Sequence, residues 1–306
     1  MKKFVFTALA LCALPAGAQK FEVTQVRQLN ADCEVYHPVF TPDGHNLLVA
    51  ISPAYDGLGV INLENEGYTP LTTAPSAAYK AAVTADSKAV IYRELNFKDM
   101  TLSLKSIDIA TGTSRELVTG LDHFNTINLN GEDVKVMAEG QEVKRNAGRK
   151  VSAAAQEEIF VTEEDLKVVV YRNGERTVVD PLSTPERDIN YCWSSLSPDK
   201  QHLMFVAGND AYVSNLSGGN LTCLGRLHAP VWRGNDYVVA MDDKDDGSRF
   251  TSSEIIIVGI DGNNRQQLSL SSDEIKMFPA VSPDGSQVAY HSTDGKVYLM
   301  TIKERK

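Results

Sequence analysis

The most constraining feature of this sequence is a unit of about 40 residues that recurs along the chain. In each unit a short apolar strand leads into a tight turn and a second alternating strand follows; the turn reads Pro-Asp-Gly in the clearest copies and is degenerate in the others. The clearest copies occupy residues 37–51 and 278–302. Proline presets φ, aspartate caps its own backbone and glycine takes the positive-φ position, so the turn returns the chain antiparallel. A repeat of this length with several short strands indicates a β-propeller.

The number of copies predicts how many blades the propeller has. Turn residues fall at positions 43, 86, 130, 199, 235 and 284, which predicts six blades of four strands. The intervals are 43, 44, 69, 36 and 49 residues, so one of them is too long. We interpret its excess, about residues 141–158, as a loop or short helix inserted in blade three, because this segment shows no strand alternation.

The two ends of the repeat region predict how the ring closes. The last unit ends at Ile302 without an outer strand of its own. The segment Phe21–Asn30 contains Arg-Gln-Leu near its end, which matches the Leu-containing endings of the outer strands in the other units. We therefore expect the N-terminal strand to complete the last blade, which would leave no open edge in the ring.

These units, with proline followed by an apolar or aromatic residue and then Ser-Pro-Asp-Gly, resemble the WD40-like PD40 repeats of the TolB-like β-propeller family. The resemblance covers nearly all of the chain after its leader and is strongest around Pro38 and Pro279. It implies an all-β propeller from a bacterial envelope. TolB proteins carry an α/β domain before the propeller, and we expect this chain to lack that domain.

The first eighteen residues predict export. A basic start, the apolar run Phe4–Leu14 and small residues up to Ala18 are typical of a secretory signal peptide cleaved after Ala18. A lipoprotein signal at Cys12 is the alternative, which Leu11 disfavours. No later apolar run reaches the roughly 20 residues that a membrane span needs. We therefore expect residues 19–306 to form a periplasmic or secreted propeller.

Charge and cysteine content narrow the possible partners. The chain has 30 Lys and Arg residues against 40 Asp and Glu, a net charge of -10, which argues against binding nucleic acid. Cys33, Cys192 and Cys223 remain after the leader, an odd number from which no disulfide framework follows. We expect three small buried thiols, with pairing of two of them left open.

A propeller gathers the residues that precede its inner strands around one mouth of the central channel. The predicted binding residues share that position: Glu34, Tyr36, His37, Tyr79, Lys80, His123, Asn125, Asn190, Tyr191, His228 and Phe278. Aromatic rings with polar neighbours suit sugars or peptide segments. The sequence thus favours a non-enzymatic binding or scaffold protein that engages a protein partner or glycan there. The alternative is that these side chains only fill the channel.

Three histidines raise the question of a metal. His37, His123 and His228 fall at similar positions in alternate predicted blades, and similar propeller lyases that act on oligogalacturonides use histidine ligands in this region. We expect the three to lie too far apart for bonds of about 2.1 Å, so no metal and no cofactor is predicted. The alternative function is a metal-assisted lyase or hydrolase acting on an oligosaccharide.

Local catalytic and calcium motifs are missing from the sequence. There is no Gly-x-Ser-x-Gly elbow, and no catalytic residues are predicted. The acidic run Asp242–Asp246 lacks the ligands of an EF-hand, because Lys244 and Ser253 stand at its third and twelfth positions. We interpret that run as a solvated hairpin in the fifth predicted blade.

Overall fold

The computed structural model describes residues 19–155, 157–270 and 272–305. Over these residues the chain forms seven antiparallel sheets that follow one another in sequence, the arrangement of a seven-bladed β-propeller. The prediction of an all-β propeller is confirmed, whereas the prediction of six blades is wrong. Within these ranges no helix is long and apolar enough to cross a membrane. The predicted signal peptide lies outside the described residues.

Five blades have four strands, which lie in sequence order from the channel outward in all but the last. Blade 1 contains β2 (Tyr36–Phe40), β3 (Asn46–Ala50), β4 (Leu58–Asn62) and β5 (Tyr68–Thr72). Blade 2 contains β6 (Ala82–Val83), β7 (Ala89–Asn96), β8 (Thr101–Asp108) and β9 (Ser114–Leu121). Blade 5 contains β16 (Tyr191–Leu196), β17 (His202–Ala207), β18 (Asp210–Asn215) and β19 (Thr222–Arg226). Blade 6 contains β20 (His228–Arg233), β21 (Tyr237–Asp245), β22 (Phe250–Gly259) and β23 (Gln266–Gln267). Blade 7 contains β24 (Lys276–Val281), β25 (Gln287–Ser292), β26 (Val297–Glu304) and β1 (Phe21–Gln28).

Two blades have three strands, and both fall in the long interval of the repeat. Blade 3 contains β10 (Asn128–Asn130), β11 (Asp133–Ala138) and β12 (Gln141–Asn146). Blade 4 contains β13 (Ile159–Glu164), β14 (Lys167–Arg172) and β15 (Glu175–Val179). The segment 141–158, expected to be an inserted loop or helix, begins with β12. The excess length is therefore a whole additional blade.

Blade 4 lacks the repeat motif because its first strand runs in the direction opposite to the first strands of the other blades. The backbone N–H of Tyr191, at the start of β16, donates to the carbonyl of Leu166, in the turn after β13, at 2.8 Å. The end of β13 thus lies beside the beginning of β16. A strand of this direction needs no Ser-Pro-Asp-Gly turn at the far end of the propeller, so the motif is absent here.

The ring closes as predicted. β1 pairs antiparallel with β26, from Phe21 opposite Glu304 to Gln28 opposite Tyr298. Phe21 is fully buried, and its ring meets that of Tyr237 in blade 6 edge-on with centroids 4.9 Å apart. The strand that closes blade 7 therefore also anchors it to the neighbouring blade.

The core is divided among the interfaces between neighbouring blades. Seven buried apolar clusters each join two adjacent sheets, including one between blades 7 and 1. The smallest lies between blades 3 and 4, where Phe160, Val169 and Tyr171 meet Met137. Because each sheet buries both faces against its neighbours, the apolar effect stabilises the ring as a whole.

The repeated turns owe their sequence to one hydrogen-bonding pattern. A hydroxyl two residues before the aspartate donates to its Oδ1 at 2.6 Å in four blades. The pairs are Thr41 with Asp43, Thr84 with Asp86, Ser197 with Asp199, and Ser282 with Asp284. In the last pair the Ser282 hydrogen bond is the main cause of the lowered pKa of Asp284. Because of these turns, all inner strands except β13 run in the same direction. Their first residues therefore lie together at one end of the central channel, the mouth.

Candidate functional site at the channel mouth

Four inner strands carry the same irregularity at the mouth. The pairing of β2, β16, β20 and β24 with the next strand is shifted by a β-bulge. In each bulge one residue other than glycine has positive φ: His37 at 51°, Trp193 at 52°, Ala229 at 44° and Phe278 at 49°. This conformation costs on the order of 1 kcal/mol per residue and is frequent at functional sites. The bulges hold these residues in fixed positions around the mouth.

Blades 7 and 1 fill their side of the mouth with packed rings. The His37 imidazole stacks on Tyr55 with centroids 3.7 Å apart, and Phe278 meets it edge-on at 4.4 Å. His291 stacks on Phe278 at 5.5 Å. Tyr79 of blade 2 extends the cluster by an edge contact with Tyr55 at 5.4 Å. This side of the mouth is largely buried.

Both histidines of this cluster are held neutral. Burial lowers the pKa of His291 to about 4 and also lowers the pKa of His37. His291 Nδ1 donates to the Ser292 carbonyl at 3.0 Å, and His37 Nε2 donates to the Pro53 carbonyl at 2.9 Å. Among the residues that the structure describes, the other ring nitrogen of each histidine is buried and finds no hydrogen-bond partner. A neutral imidazole accepts at that atom, so each ring retains one unused acceptor.

An ion pair crosses the mouth from blade 2 to blade 4. Lys80 Nζ lies 2.5 Å from the Glu163 carboxylate, and these blades are not neighbours in the ring. Ser194 of blade 5 donates to the same carboxylate from its backbone N–H at 2.8 Å and its hydroxyl at 2.6 Å. Although burial opposes ionisation, Lys80 and these donors hold the pKa of Glu163 below its usual value. The glutamate stays charged and ties three blades together.

Blades 5 and 6 leave an accessible aromatic residue beside a histidine. Trp193 is 37% exposed, and the centroid of its ring lies 5.6 Å from that of the His228 ring. His228 Nδ1 is 2.7 Å from the carboxylate of Asp243, which is only 2% exposed. A buried carboxylate fixes the orientation of the imidazole and leaves Nε2 as a proton acceptor.

The predicted mouth residues separate into distinct groups. Tyr36, His37, Tyr79 and Phe278 lie in or beside the ring cluster. Lys80 and Asn125 both meet Glu163, the latter through its side-chain amide and the Glu163 carbonyl at 2.7 Å. Three further residues, each preceding an inner strand, are exposed: Glu34, His123 and Asn190. Tyr191 lies in the core between blades 4 and 5 and bonds Asp180.

Several residues of the mouth were not predicted. Tyr55 and His291 come from a turn and a second strand, whereas the prediction considered only residues that lead into inner strands. Glu163 belongs to the unrecognised blade. Asp243 lies within an acidic run interpreted as solvated; Asp246–Arg249 do form a hairpin turn, in blade 6, but Asp243 itself points inward. The apolar run Val168–Tyr171 followed by Asn173-Gly174 is the signal that predicts the missing hairpin.

The cysteine thiols differ from the predicted arrangement, in which all three are buried. Cys33, Cys192 and Cys223 are unpaired but exposed, so the expectation that they are buried is wrong. His37, His123 and His228 occupy separate surroundings. In the described ranges no three His, Cys, Asp or Glu side chains lie close enough to share a metal ion.

The fold and the mouth define this protein as a seven-bladed β-propeller with one aromatic and one polar side to its channel entrance. Its structure is similar to TolB from Acinetobacter baumannii, with a TM-score of 0.53 and 14% identity over 82% of this chain and 58% of that one. The chain thus spans less than two thirds of that TolB. Oligogalacturonate lyase from Vibrio parahaemolyticus aligns with a TM-score of 0.48 and 12% identity over 89% of this chain and 79% of that one. No protein-family model matches the sequence, and no curated protein does. The likeness to TolB shows the propeller fold alone, and membership of the PD40 family stays a prediction.

Proposed function

We propose that this protein is an extracytoplasmic binding propeller that holds a protein partner or glycan at the channel mouth described above. The observation that carries the proposal is Trp193, an exposed indole held at positive φ in a bulge. An exposed aromatic platform with adjacent polar groups offers a large apolar contact and loses little rotamer entropy on binding. Backbone strain at such a residue supports a functional role.

The predicted secretory leader and the TolB-like fold support a location outside the cytoplasm. Glu34, His123 and Asn190 precede inner strands and are exposed, which supports polar contacts between these side chains and a ligand. The packed cluster of His37, Tyr55 and Phe278 supplies a rigid wall. A rigid site with a few adaptable polar groups is typical of binding surfaces.

The test compares ligand capture by the wild-type protein and by Trp193→Ala. Each is immobilised and exposed to an extract of the cell envelope and, separately, to a glycan array. The control is Phe97→Ala, which removes a more accessible ring, 67% exposed, from the β7–β8 turn. We expect a ligand that is retained by wild type and Phe97→Ala and lost by Trp193→Ala. Equal retention by all three would overturn the proposal.

A second candidate function rests on the pair formed by His228 and Asp243. A histidine oriented by a buried carboxylate can act as a general base, as a lyase or hydrolase acting on an oligosaccharide requires. Turnover of an oligosaccharide by wild type that disappears in His228→Gln, while Trp193-dependent capture persists, would favour this function over binding alone. Metal analysis of the same two proteins tests whether the activity is metal-assisted.

A further inference from the structure

Arg93 is a buried cation between blades 2 and 3. It is the fifth residue of β7 and only 3% exposed. Its guanidinium lies between two rings, 4.7 Å from the centroid of Tyr79 and 4.5 Å from that of Phe124. Nη2 donates to the Asn125 carbonyl at 2.6 Å. Tyr79 and Asn125 both belong to the mouth, so Arg93 lies directly behind it.

No carboxylate in the described part of the chain forms an ion pair with this cation. Among the ion pairs of the residues that the structure describes, none includes Arg93, and its Nε is buried without a hydrogen-bond partner. The carboxylate of this region, Glu163, is already engaged by Lys80 and twice by Ser194. Burial lowers the pKa of Arg93 to about 10, so the group is still charged at neutral pH. A buried cation without a counter-ion is costly, and the two rings compensate only in part.

The group formed by Arg93, Lys80 and Glu163, which Asn125 links, therefore carries a net positive charge in a chain whose net charge is -10. Lys80 and Arg93 contribute two positive charges, and Glu163 contributes one negative charge. The planar guanidinium matches carboxylate and phosphate oxygens through paired hydrogen bonds. Tyr79, which covers Arg93, is only partly buried, and its ring contact on the other side is with Tyr55.

We propose that Arg93 is the anion-recognition group of the mouth and that the ligand presents a carboxylate or phosphate there. This inference rests on the proposed binding function and specifies the chemistry of its ligand. Asn125 fixes the guanidinium through Nη2, and an oxyanion accepts the hydrogen bonds that the protein leaves unmade. The ligand would supply the counter-ion that the fold lacks.

The experiment titrates wild-type protein with sodium phosphate, sodium acetate and a pentaglutamate peptide, with sodium chloride at equal ionic strength as reference. The readouts are the melting temperature and the NMR signal of the Arg93 Nε–H. The variant is Arg93→Gln, and the control is Arg149→Gln, which removes a cation paired with Asp86 and Asp108 away from the mouth. A larger response of these readouts to phosphate than to acetate and the peptide indicates a phosphate ligand, and the reverse indicates a carboxylate ligand.

We expect at least one oxyanion to raise the melting temperature of wild type and of Arg149→Gln in a saturable way and to shift the Arg93 Nε–H signal. In Arg93→Gln its dissociation constant should rise by about tenfold or more. If phosphate, acetate and the peptide change the melting temperature and the Nε–H signal of the wild type no more than chloride does, the proposal is wrong. This comparison needs only the wild type, so it holds even if Arg93→Gln does not fold. An equal response of Arg93→Gln would also overturn it. Because these probes do not require Trp193, a negative result leaves Trp193-dependent capture untouched.

Discussion

The Nδ1 atom of His228 lies 2.7 Å from the carboxylate of Asp243, and this contact joins the first and second strands of blade 6 at the mouth. The carboxylate is 2% exposed, so the hydrogen bond from His228 replaces the water that Asp243 loses on folding. Removing either side chain leaves the other as a polar group with neither this hydrogen bond nor full contact with water.

This pair should show strong coupling in a double-mutant cycle. We expect His228→Phe and Asp243→Leu each to lower the free energy of unfolding by about 1–3 kcal/mol, because each leaves a polar group unpaired. The double variant should lose less than the sum of the two. Urea unfolding of the four proteins measures the coupling, and additive losses would show that the contact contributes nothing.

Stability should decline in acid because of His291. Its folded pKa of about 4 lies below the unfolded value of 6.5, so the unfolded chain binds more protons between those limits. The free energy of unfolding should fall as the pH is lowered from about 6.5 to about 4, by up to about 3 kcal/mol, and this contribution should then level off.

The His291→Phe variant isolates that contribution. It keeps an aromatic ring against Phe278 and removes the titrating group. The difference between wild type and variant, measured by urea unfolding at several pH values, should shrink or reverse below pH 6.5, because only the wild type loses this stabilisation. Parallel pH profiles for the two proteins would contradict the burial of a neutral His291.

The closing strand should depend on Phe21. This side chain is fully buried against Tyr237, with the Arg233 guanidinium 4.6 Å from its ring centroid. We expect Phe21→Ala to lower the free energy of unfolding by about 3–5 kcal/mol. Val26→Ala on the same strand is the control, since Val26 is 46% exposed and should cost little. Equal losses in denaturant unfolding would contradict the packing of β1 described here.

The strain at Trp193 can be measured separately from its role in binding. Glycine adopts a φ of 52° without penalty, whereas alanine does not. Trp193→Gly should therefore be more stable than Trp193→Ala by roughly 1 kcal/mol, although both remove the ring. Thermal unfolding of the pair checks this difference. A less stable glycine variant would argue against the bulge geometry.

The Cys192 thiol should react slowly with alkylating reagents. Desolvation of the thiol raises its pKa to about 11, and the charge of Glu163 adds to the effect, although part of the residue is accessible to solvent. The nucleophilic thiolate is then scarce at pH 8. Mass spectrometry after timed iodoacetamide treatment should find Cys192 labelled after Cys33 and Cys223. Labelling of Cys192 first would contradict this environment.

Local chemistry made much of the fold predictable. The turn at Asp284 and the outer strand ending at Gln28 each follow a pattern that the chain repeats, so the propeller and its closure could be predicted. Blade 4 could not be found in this way because β13 runs in reverse and its turn at Asp165-Leu166 lacks the motif.

The candidate site was predictable only in part, for a related reason. Position in the repeat identified His37, Lys80 and His228, because each leads into an inner strand. It could not identify their partners, because Glu163 reaches Lys80 from another blade and Asp243 reaches His228 from the next strand of the same blade, and neither contact follows from the repeat. Contacts that cross the ring leave no local pattern in sequence.

The central claim is that a ligand binds at the mouth against Trp193. The chain contains two tryptophans, so Trp193 is the only one in a Trp232→Phe variant. The most direct measurement is the fluorescence of that variant during titration with the ligand captured by the wild-type protein. Binding at the mouth predicts a saturable blue shift, because the exposed indole loses water. A ligand that binds with unchanged Trp193 emission would contradict the assignment.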